Sequence, residues 1–308
     1  MLQPSPVGGR LTQFLPAWES LTNDQWVLEI IREGYKLPFV TPPDLSLQPL
    51  ETHVPRDRSQ EALLRGEIQA LLDKQAIEEI DVRTDPLGFY SHYFLASKKT
   101  GGFRPILNLR GLNRHIRCDK FRMDTLQSIL QVLSPGDWMA SLDLKDAYLH
   151  VPIFLAHRKF LRFAFRDPLG TLRVYQWKVL PFGLSTSPRV FTKVLAPIGA
   201  VLHAQGHSMF PYIDDLFTSS GRVQLTLQSR DACLKTLLKV GFIINLKKSY
   251  LTLTQDLLHL GARLLTEKGI ILPPQDKVEA IMAHATCLRE ASQVSARTVL
   301  QVTGLMTA

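Results

Sequence analysis

The sequence predicts an α+β fold. Two pairs of short apolar strands are joined by turn signals, Thr100-Gly101-Gly102 in one and Asp167-Pro168-Leu169-Gly170 in the other. Segments with apolar residues at helical spacing lie between them. Strands and helices do not alternate strictly, as a parallel βαβ sheet requires. The chain has 308 residues, enough for one large domain or two to three subdomains. Hydrophobic residues make up 45% and charged residues 21%, ordinary globular usage that excludes wholesale disorder. The longest apolar run, Val194 to Leu202, is nine residues long and carries Pro197 and Gly199, so it is too short to span a membrane. The first residues, MLQPSPVGGR, lack the apolar stretch of a secretory signal.

Residues 1–56 are rich in proline, which fixes φ and removes a hydrogen-bond donor, and read as an extension lying across the main body with a disordered tip. Its one expected regular element is a helix over Asn23 to Glu33, with Trp26, Val27 and Ile30 on one face. From Asp57 the pattern changes: Leu63, Leu64, Ile68, Leu71 and Leu72 predict a helix, and Asp57 with Gln60 resembles a capping box. Residues 90–97 and 103–109 form the first strand pair. Asp124 is expected to cap a short helix bearing Leu126, Ile129, Leu130 and Leu133, which Pro135-Gly136 ends.

Residues 138–144 (WMASLDL) read as a strand, and 158–165 with 171–179 as the second hairpin. Ser187-Pro188 opens a helix to about His203 that Pro197 should kink. Residues 208–219 are two apolar pieces broken by Asp214-Asp215. A helix from Val223 to Val240 stops at Gly241. Short strands follow, then Pro273-Pro274, an amphipathic helix with Val278, Ile281, Met282, Ala285 and Leu288, and a last helix from near Ser295.

Lys plus Arg number 36 against 28 Asp plus Glu, a net charge of +8 that permits a polyanionic partner without requiring one. The three cysteines, Cys118, Cys233 and Cys287, are far apart, form no metal-binding pair, and fit a reducing compartment.

The chemistry concentrates in four places. Asp214-Asp215 sits within an apolar segment, where two adjacent carboxylates repel and lose solvation unless they form a turn or a divalent cation neutralises them. Asp143 ends an apolar strand. Together Asp143, Asp214 and Asp215 form a candidate cluster for two metals about 3.5–4 Å apart. Asp146 competes with Asp143, but lies where the chain turns. Residues 98–122 hold eight Lys/Arg and one acid, Asp119, a basic hairpin suited to a triphosphate or nucleic-acid backbone or else a solvated basic face. In Leu180-Pro181-Phe182-Gly183-Leu184-Ser185-Thr186-Ser187-Pro188, small residues ahead of a helix allow close approach of backbone to a ligand.

These blocks, in the order KKTGGFRPILNLRGLN, SLDLKDAYLHVPI, LPFGLSTSPRVF, YIDD, GFIINLKKS and HLGARLLTEKGI, resemble a retroelement reverse transcriptase over about residues 98–270. The first 50 residues and the LPFGLSTSP block look most like the DIRS group, retrotransposons that also encode a tyrosine recombinase. The resemblance implies a right-hand polymerase with fingers, an antiparallel palm sheet with helices, and a partial thumb. Fingers are expected at about 57–136 and 151–187, palm at about 137–150 and 188–265, and a partial thumb or connection at 266–308.

The same resemblance implies the site. Asp143, Asp214 and Asp215 match the carboxylates that hold two Mg²⁺ (or Mn²⁺), with the Leu144 backbone beside the ions. Tyr148 matches the bulky residue under the incoming sugar, which excludes a 2′-hydroxyl. Arg104 and one of Lys98 or Lys99 match the triphosphate clamp. Phe182 stands beside the 3′ side of the sugar, followed by Gly183, at a position where some viral relatives carry Gln and long-terminal-repeat elements an aromatic. Lys248 matches the lysine suggested to protonate the leaving pyrophosphate, and Lys247 is its competing neighbour. Arg110 and Asn113 resemble template-bracing residues. Tyr212, with Leu260 and Gly261 of a primer-gripping hairpin, belongs to the template and primer side.

The implied activity is RNA-directed DNA polymerisation, with an RNA template, a DNA primer or duplex and deoxynucleoside triphosphates as partners. No membrane partner is expected. The polyprotein's RNase H and recombinase regions are candidate protein partners, and the setting is intracellular, cytoplasm or nucleus. Residues 266–308 offer only Glu267, Asp276, Glu279 and Glu290 as acids, so RNase H activity is not expected of this chain. The alternative is a catalytically incompetent nucleic-acid-binding remnant of a truncated retroelement. An unrelated metal-dependent phosphohydrolase would leave the basic hairpin and Tyr148 without a role.

Overall fold

The computed structural model describes residues 6–52, 58–97, 103–123, 125–167, 169–290 and 293–307. The N-terminal segment carries more regular structure than its prolines suggest. Helix α1 (Leu15–Leu21) takes Pro16 in its first turn, where the missing N–H is no loss. Helix α2 (Gln25–Glu33) is capped by Asp24, whose carboxylate accepts from the N–H groups of Trp26 and Val27. This segment does not merely lie on the surface. Leu11, Trp18, Val27 and Ile31 are fully buried in the main core. The Trp18 indole N–H donates to the Val240 carbonyl, 222 residues away.

Helix α3 (Arg58–Asp73) leads into strand β1 (Ile77–Ile80), and β2 (Tyr93–Ser97) pairs antiparallel with β3 (Phe103–Leu107). The Asp57 cap and the 100–102 turn lie outside the described residues. A short helix α4 (Arg110–Asn113) precedes α5 (Leu126–Val132). The cap of α5 is Thr125 in a capping box with Ser128. Asp124, the expected cap, lies outside the described residues.

Strand β4 (Trp138–Asp143) is followed by the hairpin β5 (Arg162–Arg166) and β6 (Leu172–Trp177). β1 pairs on the outer edge of β6. Helix α6 (Ser187–Ala204) runs through Pro197 to its C-terminus. Thr186, not Ser187, is its N-cap residue, and the Ser187 hydroxyl instead donates to the Pro181 carbonyl. Next come β7 (Phe210–Tyr212), β8 (Asp215–Ser220), α7 (Val223–Lys239) and β9 (Tyr250–Thr254). The described chain closes with the meander β10 (Asp256–His259), β11 (Ala262–Leu265), β12 (Ile270–Leu272) and helices α8 (Gln275–Glu290) and α9 (Ala296–Thr307).

The sheet that positions the site has the order β7-β8-β4-β9, all antiparallel. Side chains alternate across it with period two. Leu142 and Leu216 fall in the main core with Val194 and Ile198 of α6, Leu237 of α7 and Val240 just after it. Met139 and Phe217 face the other way, into a smaller cluster with Ile129 of α5 and Leu257 and Leu264 of the meander. Counting by twos from Met139 and Phe217 puts Asp143 and Asp215 on that second face, beyond the reach of the α6–α7 core.

Candidate active site

Asp143 and Asp215 are direct cross-strand partners at the end of the β4–β8 ladder. Between Tyr212 and Asp215, themselves paired, the chain reverses through two residues, Ile213 and Asp214. Ile213 has φ 54°, a left-handed conformation strained for a β-branched side chain. The reversal is thus a tight hairpin turn, and it places Asp214 beside the end of β4. The Leu144 N–H donates to the Asp214 carbonyl at 2.8 Å, so the two acidic segments share a backbone bond.

Residues 243–249 hold the other edge of β4. The Asp143 N–H donates to the Ser249 hydroxyl (2.9 Å), which donates to the Asn245 carbonyl (2.9 Å), and the Asn245 N–H returns to the Asp143 carbonyl (2.8 Å). The Lys145 N–H donates to the Ile243 carbonyl, and the Ile243 N–H donates to Nε2 of His150. His150 is fully buried, and because Nε2 accepts, Nδ1 carries the proton toward the Ala147 carbonyl. Ser249, Asn245 and His150 were not singled out from sequence. The i, i+4 spacing of Asn245 and Ser249 was the available signal.

Burial pushes the Asp215 carboxyl up to about 6, with the charges of Asp214 and Asp143 adding to the effect and Lys248 opposing it. Asp214 is also raised, first by burial and then by Asp143. Lys248 Nζ lies 4.0 Å from the Asp143 carboxylate. Lys248 lines the same cleft as Asp143, Asp214, Tyr148 and Phe182, a cavity of about 500 Å³. Lys247 is not part of that lining.

Among the described residues no three His, Cys, Asp or Glu side chains close into a cluster tight enough to grip an ion. The backbone brings the three carboxylates to one strand end, but their like charges, desolvated together, oppose closer approach. The donor set itself is one a hard divalent cation prefers, anionic oxygen with a surplus of negative charge to neutralise.

Tyr148 stands on a short helical turn, its ring 5.1 Å from Phe182 and 5.5 Å from Phe191. Burial, with the charge of Asp214, raises its hydroxyl to about 12. Phe182 is 63% exposed, an apolar ring presented to the cleft. The loop behind it is pinned by Asn113, whose amide donates to the Gly183 carbonyl (2.9 Å) and accepts from the Ser185 N–H (3.0 Å). Gly183 is required there: its φ is +93°, and a Cβ would sit 3.0 Å from the Leu107 carbonyl oxygen.

Arg110 shares a separate groove of about 280 Å³ with Phe94, Asn108 and Gly183. Leu260 and Gly261 form the two-residue turn between β10 and β11, both with positive φ. Leu260 packs on the cluster containing Met139 and Phe217, the sheet face that Asp143 and Asp215 share. Arg104 lies in β3 opposite Ala96. Lys98 and Lys99 lie outside the described residues.

The profile of a family described as reverse transcriptase (RNA-dependent DNA polymerase) matches residues 96–281. The genome polyprotein of Petunia vein clearing virus is 28% identical over 151 residues, which is 49% of this chain and 7% of that polyprotein. The enzymatic polyprotein of Soybean chlorotic mottle virus is 26% identical over 232 residues, 75% of this chain and 32% of its own length. The Gag-Pol polyprotein of Feline leukemia virus is 28% identical over 173 residues, 54% of this chain and 10% of its own length. The chain thus spans a third or less of these relatives. In structure, foamy viral protease-reverse transcriptase in complex with double-stranded DNA superposes with TM-score 0.67 at 19% identity, over 96% of this chain and 48% of that one. The foamy viral protein in complex with an RNA/DNA hybrid gives 0.63 at 18% identity, over 96% and 39%. The fold is therefore the right-hand polymerase fold.

Proposed function

The chain belongs to the reverse transcriptase (RNA-dependent DNA polymerase) family, and we propose that it copies an RNA or DNA template into DNA by nucleotidyl transfer at Asp143, Asp214 and Asp215. The observation that carries this reading is the cross-strand pairing of Asp143 with Asp215, with Asp143 and Asp214 lining a cleft that also presents Tyr148 and Lys248. Asp143, Asp214 and Asp215, with the Leu144 backbone, would hold two Mg²⁺ ions. Bound there, such ions would lower the pKa of the primer 3′-hydroxyl and would neutralise charge on the phosphates.

The chain's own groups do the rest. Tyr148, braced by Phe191, lies under the sugar and leaves no room for a 2′-hydroxyl, so selection is steric. Phe182 flanks the 3′ side. Lys248 is placed to donate a proton toward the departing pyrophosphate, and Arg104 with Lys98 or Lys99 offsets the triphosphate charge. Arg110 and Asn113 belong to the template side, and Tyr212 with the Leu260-Gly261 turn to the primer. Nucleic-acid partners are supported by the DNA and hybrid complexes of the foamy viral relatives. We infer a retrotransposon polyprotein as the source, of the DIRS type, from the LPFGLSTSP block and the first 50 residues.

Primer extension on poly(rA)/oligo(dT) with Mg²⁺ or Mn²⁺ tests the proposal. Wild type should extend and Asp214→Asn should not. Extension surviving in Asp214→Asn rejects the assignment. A wild type that binds duplex without extending it supports the non-catalytic remnant.

A further inference from the structure

We propose that Lys74 is a positioning residue of the nucleotide site, holding Asp146 and through it the turn that carries Tyr148. The inference rests on the polymerase reading and deepens it. Lys74 Nζ lies 2.9 Å from the Asp146 carboxylate, across 72 residues of sequence. Both side chains line the cleft with Asp143, Tyr148 and Phe182. Both also line a neighbouring cavity of about 140 Å³ bounded by Tyr93, Leu107 and Trp177. The ion pair, together with Phe182, therefore lies between the nucleotide cleft and the space behind it.

Asp146 has φ 53° and ψ 42°, a left-handed conformation that only a few residue types tolerate. The residues after it, Ala147–His150, form the helical turn bearing Tyr148, and the Leu149 N–H closes that turn on the Asp146 carbonyl. A carboxylate held at Asp146 thus fixes the residue that leads into the element carrying the sugar-facing ring.

Lys74 is itself fixed. It caps α3 at its C-terminus. The Gln75 N–H returns to Leu72 and the Ala76 N–H to Leu71, with Gln75 at φ 55°. From behind, two consecutive amides join the two segments: Gly8 N–H donates to the Lys74 carbonyl (2.8 Å) and Gly9 N–H to the Leu149 carbonyl (2.9 Å). Backbone bonds already tie the two segments, so the ion pair is not needed to hold the fold. Its remaining effect is on the shape of the turn.

A bare counter-charge for the triphosphate would behave differently. Removing the Asp146 carboxylate would then make the cleft more positive and tighten nucleotide binding. A positioning pair requires both members. The test is single-nucleotide addition of dTTP on poly(rA)/oligo(dT) by the full chain, comparing Lys74→Ala, Asp146→Asn, the double variant and Lys74→Arg, with thermal unfolding in parallel. Each single variant should raise KM for dTTP about tenfold with kcat nearly unchanged and unfolding temperature preserved. Each should also relax dTTP over UTP selectivity. The double variant should be no worse than either single one, and Lys74→Arg should restore KM.

A lowered KM in Asp146→Asn, additive losses in the double variant, or unchanged sugar selectivity overturns the proposal while leaving the polymerase reading intact. A wild type that adds no nucleotide overturns both.

Discussion

Asp143 and Asp215 face each other across β4 and β8 as the terminal pair of a six-residue register that begins with Trp138 and Ser220. That pairing converts two acidic segments some seventy positions apart into one electrostatic object. The ladder behind it buries apolar side chains on both faces, Leu142 and Leu216 on one and Met139 and Phe217 on the other, so neither strand can slip without moving them to the wrong face. The rigidity of the ladder, together with the Ser249–Asn245 bonds on its other edge, holds carboxylates together that would otherwise separate.

The proposed function assigns sugar selectivity to Tyr148. Its ring is wedged between Phe182 and Phe191, so it cannot swing away from a bulkier sugar. Tyr148→Ala should lower the preference for dTTP over UTP by about a hundredfold, which is about 2.7 kcal/mol. Steady-state kcat/KM for the two nucleotides measures it, and unchanged selectivity removes Tyr148 from the role.

The N-terminal strap is tested at Gly8. A Cβ there would lie 2.2 Å from the Gln75 carbonyl oxygen, a backbone atom that cannot yield cheaply. Gly8→Ala should cost about 2 kcal/mol of stability in urea unfolding. A cost near zero would mean that the strap does not press on the α3 terminus.

Acid sensitivity has a local source in His150. Burial lowers its pKa from 6.5 to about 4, so the unfolded chain takes up a proton that the folded protein refuses. The stability contributed by neutral His150 is complete above about pH 6.5 and is lost as pH falls toward 4, by about 3 kcal/mol at most. The raised Asp214 and Asp215 carboxyls act in the opposite sense over part of this window. The contribution is therefore read as a difference: between pH 6.5 and 4 the unfolding free energy of wild type should fall relative to that of His150→Gln. Parallel curves would contradict it.

The acidic site was legible in sequence because its signals are local. An apolar strand that runs into Asp143, and an acidic doublet inside an apolar segment, each violate the expectation that buried carboxylates are avoided. Strand β1 was missed for the opposite reason. Its Glu78 and Glu79 erase any apolar alternation, and they are accommodated by Arg158 and Arg173 on distant segments. Helix α1 was hidden by Pro16, which reads as a breaker until its first-turn position is known. The cap of α5 moved by one residue, from Asp124 to Thr125, because either side chain suits a cap and only backbone geometry chooses. The Lys74–Asp146 pair joins positions 72 apart and leaves no pattern in either segment alone.

The central claim is that Asp143, Asp214 and Asp215 bind divalent ions together, and counting bound Mn²⁺ by electron paramagnetic resonance tests it most directly. With primer-template and a non-hydrolysable deoxynucleotide present, wild type should bind two Mn²⁺ per chain, while Asp143→Asn and Asp215→Asn should each lose at least one with folding preserved. Two ions retained in both variants would contradict the account.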